Sequence, residues 1–210
     1  MSRFRSIIFI SGNGSNLQNI IDNIKSDYLK MDIVLVISDN YEAKGLKKAK
    51  ENGIETLVIN TSDKYIDELL HLMNNYKVDL IILSGFMKIL PKVFVEKYYG
   101  KIINIHPSLL PKFKGLNTHK KALASKERYH GASVHFVTSE LDGGPVIVQG
   151  KTEIQENDNE DALKSRVHQI EYNIFPLAIK WFVENHIKQI DNKCFFDNEL
   201  LEFSIEHLSD

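Results

Sequence analysis

Three side chains in this sequence have the chemistry to act on a carbonyl group: Asn104, His106 and Asp142. The first two fall in residues 101–119, KIINIHPSLLPKFKGLNTH. That stretch opens as a strand, with Ile102, Ile103 and Ile105, and stops at Pro107, Pro111 and Gly115, which no helix or central strand would tolerate. Residues two apart on a strand point the same way, so Asn104 and His106 address one small volume. A carboxamide can donate two hydrogen bonds to an oxyanion, and an imidazole can serve as acid, base or second donor. Each residue also has a plainer role: Asn104 as a strand-end partner, His106 as a core histidine, Asp142 as the Asp of an Asp-Gly turn. The case for chemistry rests on their occurring together, and with a glycine-rich loop, SGNGSN, at residues 11–16.

Such residues need elements that bring them to strand ends. Residues 6–10 (SIIFI) form a continuous apolar run of strand length, and residues 17–24 (LQNIIDNI) have helical spacing at Leu17, Ile20, Ile21 and Ile24. Strand, glycine turn, helix is a geometry that aims backbone N–H groups at an anion. The loop matches neither the dinucleotide fingerprint nor the P-loop, so an ordinary turn with Ser15 or Asn16 as N-cap stays open. Strands follow at residues 32–37, 55–59 and 78–83, and helices at 42–52, closed by Gly53, and 62–76, with Ile66, Leu69, Leu70 and Met73 on its apolar face. Pro91 suits the first turn of a further helix. This alternation predicts a parallel sheet with right-handed crossovers.

After Gly115 the rhythm changes. A helix is expected over residues 118–126. Residues 132–138 and 145–154 lie too close in sequence for a parallel crossover, so an antiparallel pair joined by the SELDGG turn, residues 139–144, is expected. Residues 159–181 read as a long amphipathic helix with Leu163, Val167, Ile170, Ile174, Leu177 and Trp181 on one stripe, its last turns kinked or broken at Pro176. Residues 187–203 read as a hairpin. The fold class is therefore α/β: a Rossmann-like, doubly wound mixed sheet, mostly parallel with an antiparallel C-terminal part. With no linker or repeat, residues 1–210 are expected to form a single domain, with one half at 1–100 that carries the glycine loop and another at 101–210 that carries Asn104, His106 and Asp142.

The net charge of −2 argues against a nucleic-acid binder held by bulk electrostatics. One cysteine, Cys194, excludes an intrachain disulfide and fits a reducing compartment. No apolar run reaches membrane-spanning length, and the run near the N-terminus is too short for a signal peptide and enters a glycine loop. A cytoplasmic protein acting on small molecules, without nucleic-acid or membrane partners, is expected.

Five segments carry a resemblance: SGNGSN (11–16), SGFMKIL (84–90), NIHPSLLPKFKG (104–115), THKKAL (118–123) and GASVHFVTSELDGGPVI (131–147). Together they resemble the phosphoribosylglycinamide formyltransferases, a folate-dependent family of purine biosynthesis, from near the N-terminus to about Trp181. The Asn-x-His-Pro-Ser-Leu-Leu-Pro run is specific to folate formyl-transfer enzymes as a group; the glycine loop and the GLNTH and DGGPVI details point to this family within it. The resemblance implies direct transfer of a formyl group from 10-formyltetrahydrofolate, as co-substrate, to the glycinamide amine, with no metal. Asn104 and His106 would stabilise the oxyanion, and Asp142 would orient His106, favour its protonated form and help take the amine proton. Gly14, Ser15 and Asn16 would hold the ribose phosphate, and His168 and Glu171 the glycinamide substrate; on sequence alone the last two read as an exposed polar face. Met87, Lys88, Ile89 and Leu90, with Thr138, Ser139, Glu140 and Leu141, would hold folate; His119 and His135 match positions nearby. Relatives often carry an Arg reaching toward folate where this chain has Ser62; Lys64 would have to substitute, without the planar fork. The family also implies a cis Leu110–Pro111 peptide. Small-molecule substrates and a monomer or homodimer are expected.

Other functions are open to the same residues. Methionyl-tRNA formyltransferase shares the central motif but normally carries a further domain for tRNA, and formyltetrahydrofolate hydrolase shares the ELD-x-G-P turn but usually carries a regulatory domain. A non-catalytic folate- or nucleotide-binding module would not need all three reactive side chains, and a nicotinamide dehydrogenase would need a complete fingerprint.

Overall fold

The structure is a computed structural model and describes residues 3–59 and 65–207. The chain divides into two compact units, Met1–Asn104 and Ile105–Asp210.

In the first unit, β1 (Phe4–Ile10), α1 (Ser15–Lys25), β2 (Met31–Ser38), α2 (Lys44–Glu51), β3 (Thr56–Val58), α3 (Tyr65–Tyr76), β4 (Leu80–Leu83) and α4 (Lys92–Lys97) lead into β5 (Ile102–His106). The strands run parallel in the order β5-β4-β1-β2-β3. Apolar runs without alternation form these strands because both faces are covered: Ile7, Ile8 and Phe9 of β1 and Leu80, Ile81 and Ile82 of β4 are all fully buried. The chain order reverses between β1 and β4, which is the switch point where open α/β sheets bind ligands. The loops after β1 and β4 lie there, and the Met87 backbone N–H donates to Ser11 Oγ at 2.8 Å.

In the second unit, α5 (Thr118–Leu123) precedes β6 (Tyr129–Phe136) and β7 (Val146–Glu153), an antiparallel pair with a register shift at Val134/His135. The long helix α6 (Glu160–Val183) packs on both strands. Gly150 of β7 has no room for a side chain because Ile170 of α6 occupies that space. Then follow β8 (Ile187–Ile190), β9 (Lys193–Phe196) and β10 (Glu199–Leu200), an antiparallel sheet, and β11 (Ile205–His207), which pairs parallel with β7. The fold is thus α/β, with a mostly parallel sheet plus antiparallel strands.

Several expectations need correction. The helix after β1 is capped by Gly14, in the left-handed region, with no side-chain cap from Ser15 or Asn16. The helix expected from residue 42 starts at Lys44, because Asn40 Oδ1 accepts from the Glu42 N–H and holds a turn there. The helix expected over 118–126 stops at Leu123, where Ser125 Oγ donates to the Ala122 carbonyl. Pro176 does not break α6, which continues to Val183. Ile174, Phe175, Ala178 and Ile179 are buried on either side of it, and that packing outweighs one missing backbone bond. The expected hairpin gains a third strand and a return to β7. Leu110–Pro111, by contrast, is cis as the resemblance implies.

Candidate active site

In the first unit the glycine loop is braced from the side. Gly14 has φ +66, and a Cβ there would lie 2.5 Å from Gly45 Cα in α2. The Gly45 N–H donates to the Gly12 carbonyl at 3.1 Å, Lys48 Nζ to the Gly14 carbonyl at 3.2 Å, and Asn40 Nδ2 to the Ser11 carbonyl at 3.3 Å. The result is a fixed loop feeding the first turn of α1, whose N–H groups lack intrahelical partners by construction. Gly14, Ser15 and Asn16 lie at that turn, with Asn16 buried. Met87, Lys88 and Ile89 are exposed beyond β4, the two apolar ones by 58% and 70%, while Leu90 is buried. Lys64 and Ser62 lie outside the described residues.

Asn104 and His106 share one side of β5, as alternation requires. The His106 ring is held at both nitrogens. Its Nε2–H donates to the Phe113 carbonyl at 3.1 Å, and Nδ1 faces Asp142 Oδ2 at 3.5 Å. A doubly protonated ring satisfies both neighbours; the Nε2–H tautomer alone satisfies only Phe113. Asp142 stands in the left-handed region at φ +47, with its side chain 9% exposed. The Gly115 N–H donates to the same Oδ2 at 2.8 Å, and His135 Nε2 lies 3.8 Å from Oδ1. The carboxylate is therefore aimed between two imidazoles. The structure brings His106 and Asp142 together across 36 residues of sequence.

The two imidazoles are not alike. His135 is fully enclosed and donates from Nδ1 to the Phe136 carbonyl at 2.8 Å; burial pushes its pKa down to about 4, against the opposing pull of that bond and of Asp142. His119 and His130 are also buried, 3.1 Å apart between Nδ1 and Nε2, and burial pushes both down to about 4, helped by neighbouring positive groups. His168 on α6 is lowered by burial and by Lys164. Its Nε2 lies 4.0 Å from Glu171 Oε2. Glu171 is only 4% exposed, so the exposed-face alternative for it fails. Thr138 is half-buried; Ser139, Glu140 and Leu141 are exposed, and Glu140 accepts from Lys114 Nζ at 2.8 Å.

The Phe113 carbonyl, the Gly115 N–H, Gly45 and His130 are not among the residues expected from sequence. Backbone groups leave no side-chain signal. Gly45, a glycine inside a helical pattern, was a legible hint of close approach. Among the described residues, no group of three or more His, Cys, Asp or Glu is set to hold a metal ion, and no helix is long and apolar enough to cross a membrane.

The formyl transferase family profile matches residues 4–179. The chain belongs to the formyl transferase family. Within it, the chain is 45% identical to the phosphoribosylglycinamide formyltransferase of Escherichia coli K12, covering 93% of this chain and 94% of that one. The solved phosphoribosylglycinamide formyltransferase of Coxiella burnetii superposes with a TM-score of 0.92 at 40% identity, over 98% of this chain and 99% of that one. A formyltetrahydrofolate deformylase from Pseudomonas syringae shares the formyl transferase fold at a TM-score of 0.87, with 25% identity over 93% of this chain and 66% of that one.

Proposed function

We propose that the chain is a phosphoribosylglycinamide formyltransferase of purine biosynthesis, moving the formyl group of 10-formyltetrahydrofolate to the amino group of phosphoribosylglycinamide. The observation that carries the reading is the buried Asp142 carboxylate set against His106, whose far nitrogen is tied to the Phe113 carbonyl. Residues 1–210 act as one formyltransferase domain.

The amine nitrogen attacks the formyl carbon, and the carbonyl π pair moves onto oxygen. Asn104 donates to that oxyanion, and so does His106 from Nδ1, the ring nitrogen that faces Asp142 across 3.5 Å while Nε2 stays on the Phe113 carbonyl; one such donor is typically worth about 3 kcal/mol in the transition state. Asp142 keeps the His106 ring oriented and charged and accepts the amine proton, directly or through water. Collapse of the intermediate breaks the bond from carbon to the folate nitrogen, which takes up a proton as tetrahydrofolate leaves. Gly14, Ser15 and Asn16 hold the phosphate with backbone N–H groups and the positive end of α1. Glu171, with His168, holds the glycinamide substrate. Met87, Lys88, Ile89, Leu90 and Thr138, Ser139, Glu140, Leu141 hold folate, with Lys64 toward its tail.

The test is a coupled assay with purified protein and both substrates. Tetrahydrofolate formed only when phosphoribosylglycinamide is present supports the reading. Release of formate at the same rate without an acceptor overturns it in favour of a hydrolase.

A further inference from the structure

The carbonyl that receives the His106 Nε2–H ends a short loop, residues 107–113, and side chains distant in sequence set the shape of that loop. Ser108 closes it locally: its N–H donates to the His106 carbonyl at 2.8 Å and its Oγ to the Lys112 carbonyl at 2.6 Å. Ser133 of β6 donates from Oγ to the Ser108 carbonyl at 2.6 Å and accepts from the Leu110 N–H at 3.0 Å. Gln149 of β7 donates from Nε2 to the Leu110 carbonyl at 2.9 Å and to Ser133 Oγ at 2.8 Å. Ser204, just before β11, donates from Oγ to Gln149 Oε1 at 3.0 Å.

The directions of these bonds are forced. A hydroxyl has one hydrogen, and Ser133 commits its own to the Ser108 carbonyl. Ser133 can then only accept from Gln149, so Gln149 must present its NH2 group there. Its oxygen is left facing Ser204, which must donate. A reversed amide would set an oxygen against the Leu110 carbonyl and against a hydroxyl with no hydrogen to offer. Ser108 and Ser133 are fully buried, so water does not replace a lost partner cheaply. Ser204 is fixed in turn by the pairing of Ile205 and Glu206 with Val148 and Gln149, and by the Lys151–Glu206 ion pair at 2.7 Å.

We propose that Gln149 and Ser204 are positioning residues for His106: through this one-way chain the C-terminal strand holds loop 107–113 in the shape that sets the Phe113 carbonyl against the imidazole. The inference rests on the role given to His106 above. In formyl-transfer kinetics, Gln149→Glu, whose carboxylate cannot donate when ionised, is expected to lower kcat about tenfold while leaving KM for both substrates within about threefold. Ser204→Ala is expected to lower kcat about threefold, and Ser204→Thr to restore it. The limb of the pH–rate profile that reports His106 should shift in Gln149→Glu. Histidine ¹⁵N–¹H spectra of the full chain should show weakening of the hydrogen-bonded His106 Nε2–H, a readout that stands even if the wild-type protein transfers no formyl group. A folded Gln149→Glu with native kcat, pH profile and His106 resonance overturns the proposal. If that variant does not fold, a native kcat and His106 resonance in Ser204→Ala overturn it instead. An inactive wild-type protein whose spectra still respond to Gln149→Glu would sink the functional reading alone.

Discussion

At the scale of single residues, the site depends on Asp142 being oriented before substrate arrives. A left-handed Asp beside Gly143 and Gly144 looks like turn chemistry, and it is that; the turn is also what points the carboxylate inward, where the Gly115 N–H fixes one oxygen. Asp142→Asn keeps the size and the turn but removes the charge facing His106 Nδ1. It should lower kcat by about two orders of magnitude, the scale of a lost electrostatic or acid–base contribution, with little change in folate affinity. Steady-state kinetics with equilibrium folate titration check this, and a near-native kcat would contradict the assigned role. His106→Ala should do at least as much, since it removes a proposed oxyanion donor together with the group that Asp142 orients. The residue types and the pairing of Asn104 with His106 were readable from strand alternation. The grip on the far side of the ring was not, because it comes from the main chain of Phe113, a residue whose φ of +56 no sequence rule predicts for an aromatic.

At the scale of elements, the glycine loop and the long helix show which signals are local. Gly45 leaves room for Gly14 and Gly12: a Cβ at 45 would meet Ile10 Cδ1 at 2.6 Å and Gly14 Cα at 3.1 Å. The isoleucine end can turn aside; the backbone of Gly14 has less freedom. Gly45→Ala should therefore push the loop and raise KM for phosphoribosylglycinamide several-fold with a smaller effect on kcat, which substrate-saturation kinetics would measure. An unchanged KM would mean that the loop does not hold this substrate. Helix α6 begins where its sequence says it should, with Asn159 Oδ1 accepting from the Ala162 N–H at 2.8 Å and with Glu160 and Asp161 in the first turn. Asn159→Ala should cost about 1 kcal/mol of stability, seen as a few degrees in Tm. Strand patterns and the span of α6 were legible because propensity and apolar spacing act over a few residues; its Asn159 cap was not singled out. Pro176 does not end α6, because burial on both sides outweighs one missing backbone bond. The return of β11 to β7 could not be read, since a three-residue parallel pairing across more than fifty positions has no local signature.

At the scale of the whole molecule, the histidines should govern how stability responds to acid. His119 and His130 are buried and have pKa values of about 4 in the folded chain against an ordinary 6.5, and His135 is similar. Burial is the first cause for each, so all three are held neutral near pH 7. In the unfolded chain they regain the ordinary value and bind protons as pH falls below it. The unfolded state then binds more protons than the folded one, so stability is full above about pH 6.5 and declines toward pH 4. One such group contributes on the order of 3 kcal/mol across that window, less where neighbouring histidines share the effect. Thermal unfolding followed by circular dichroism should show Tm at pH 5 lower than at pH 7.5 by roughly 5–10 °C. His130→Gln retains a polar partner for His119 and removes one group that charges on unfolding, so its Tm should fall less steeply over the same range. A slope as steep as the wild-type one would mean that His130 is not held neutral by its surroundings and that the acid sensitivity arises elsewhere in the chain.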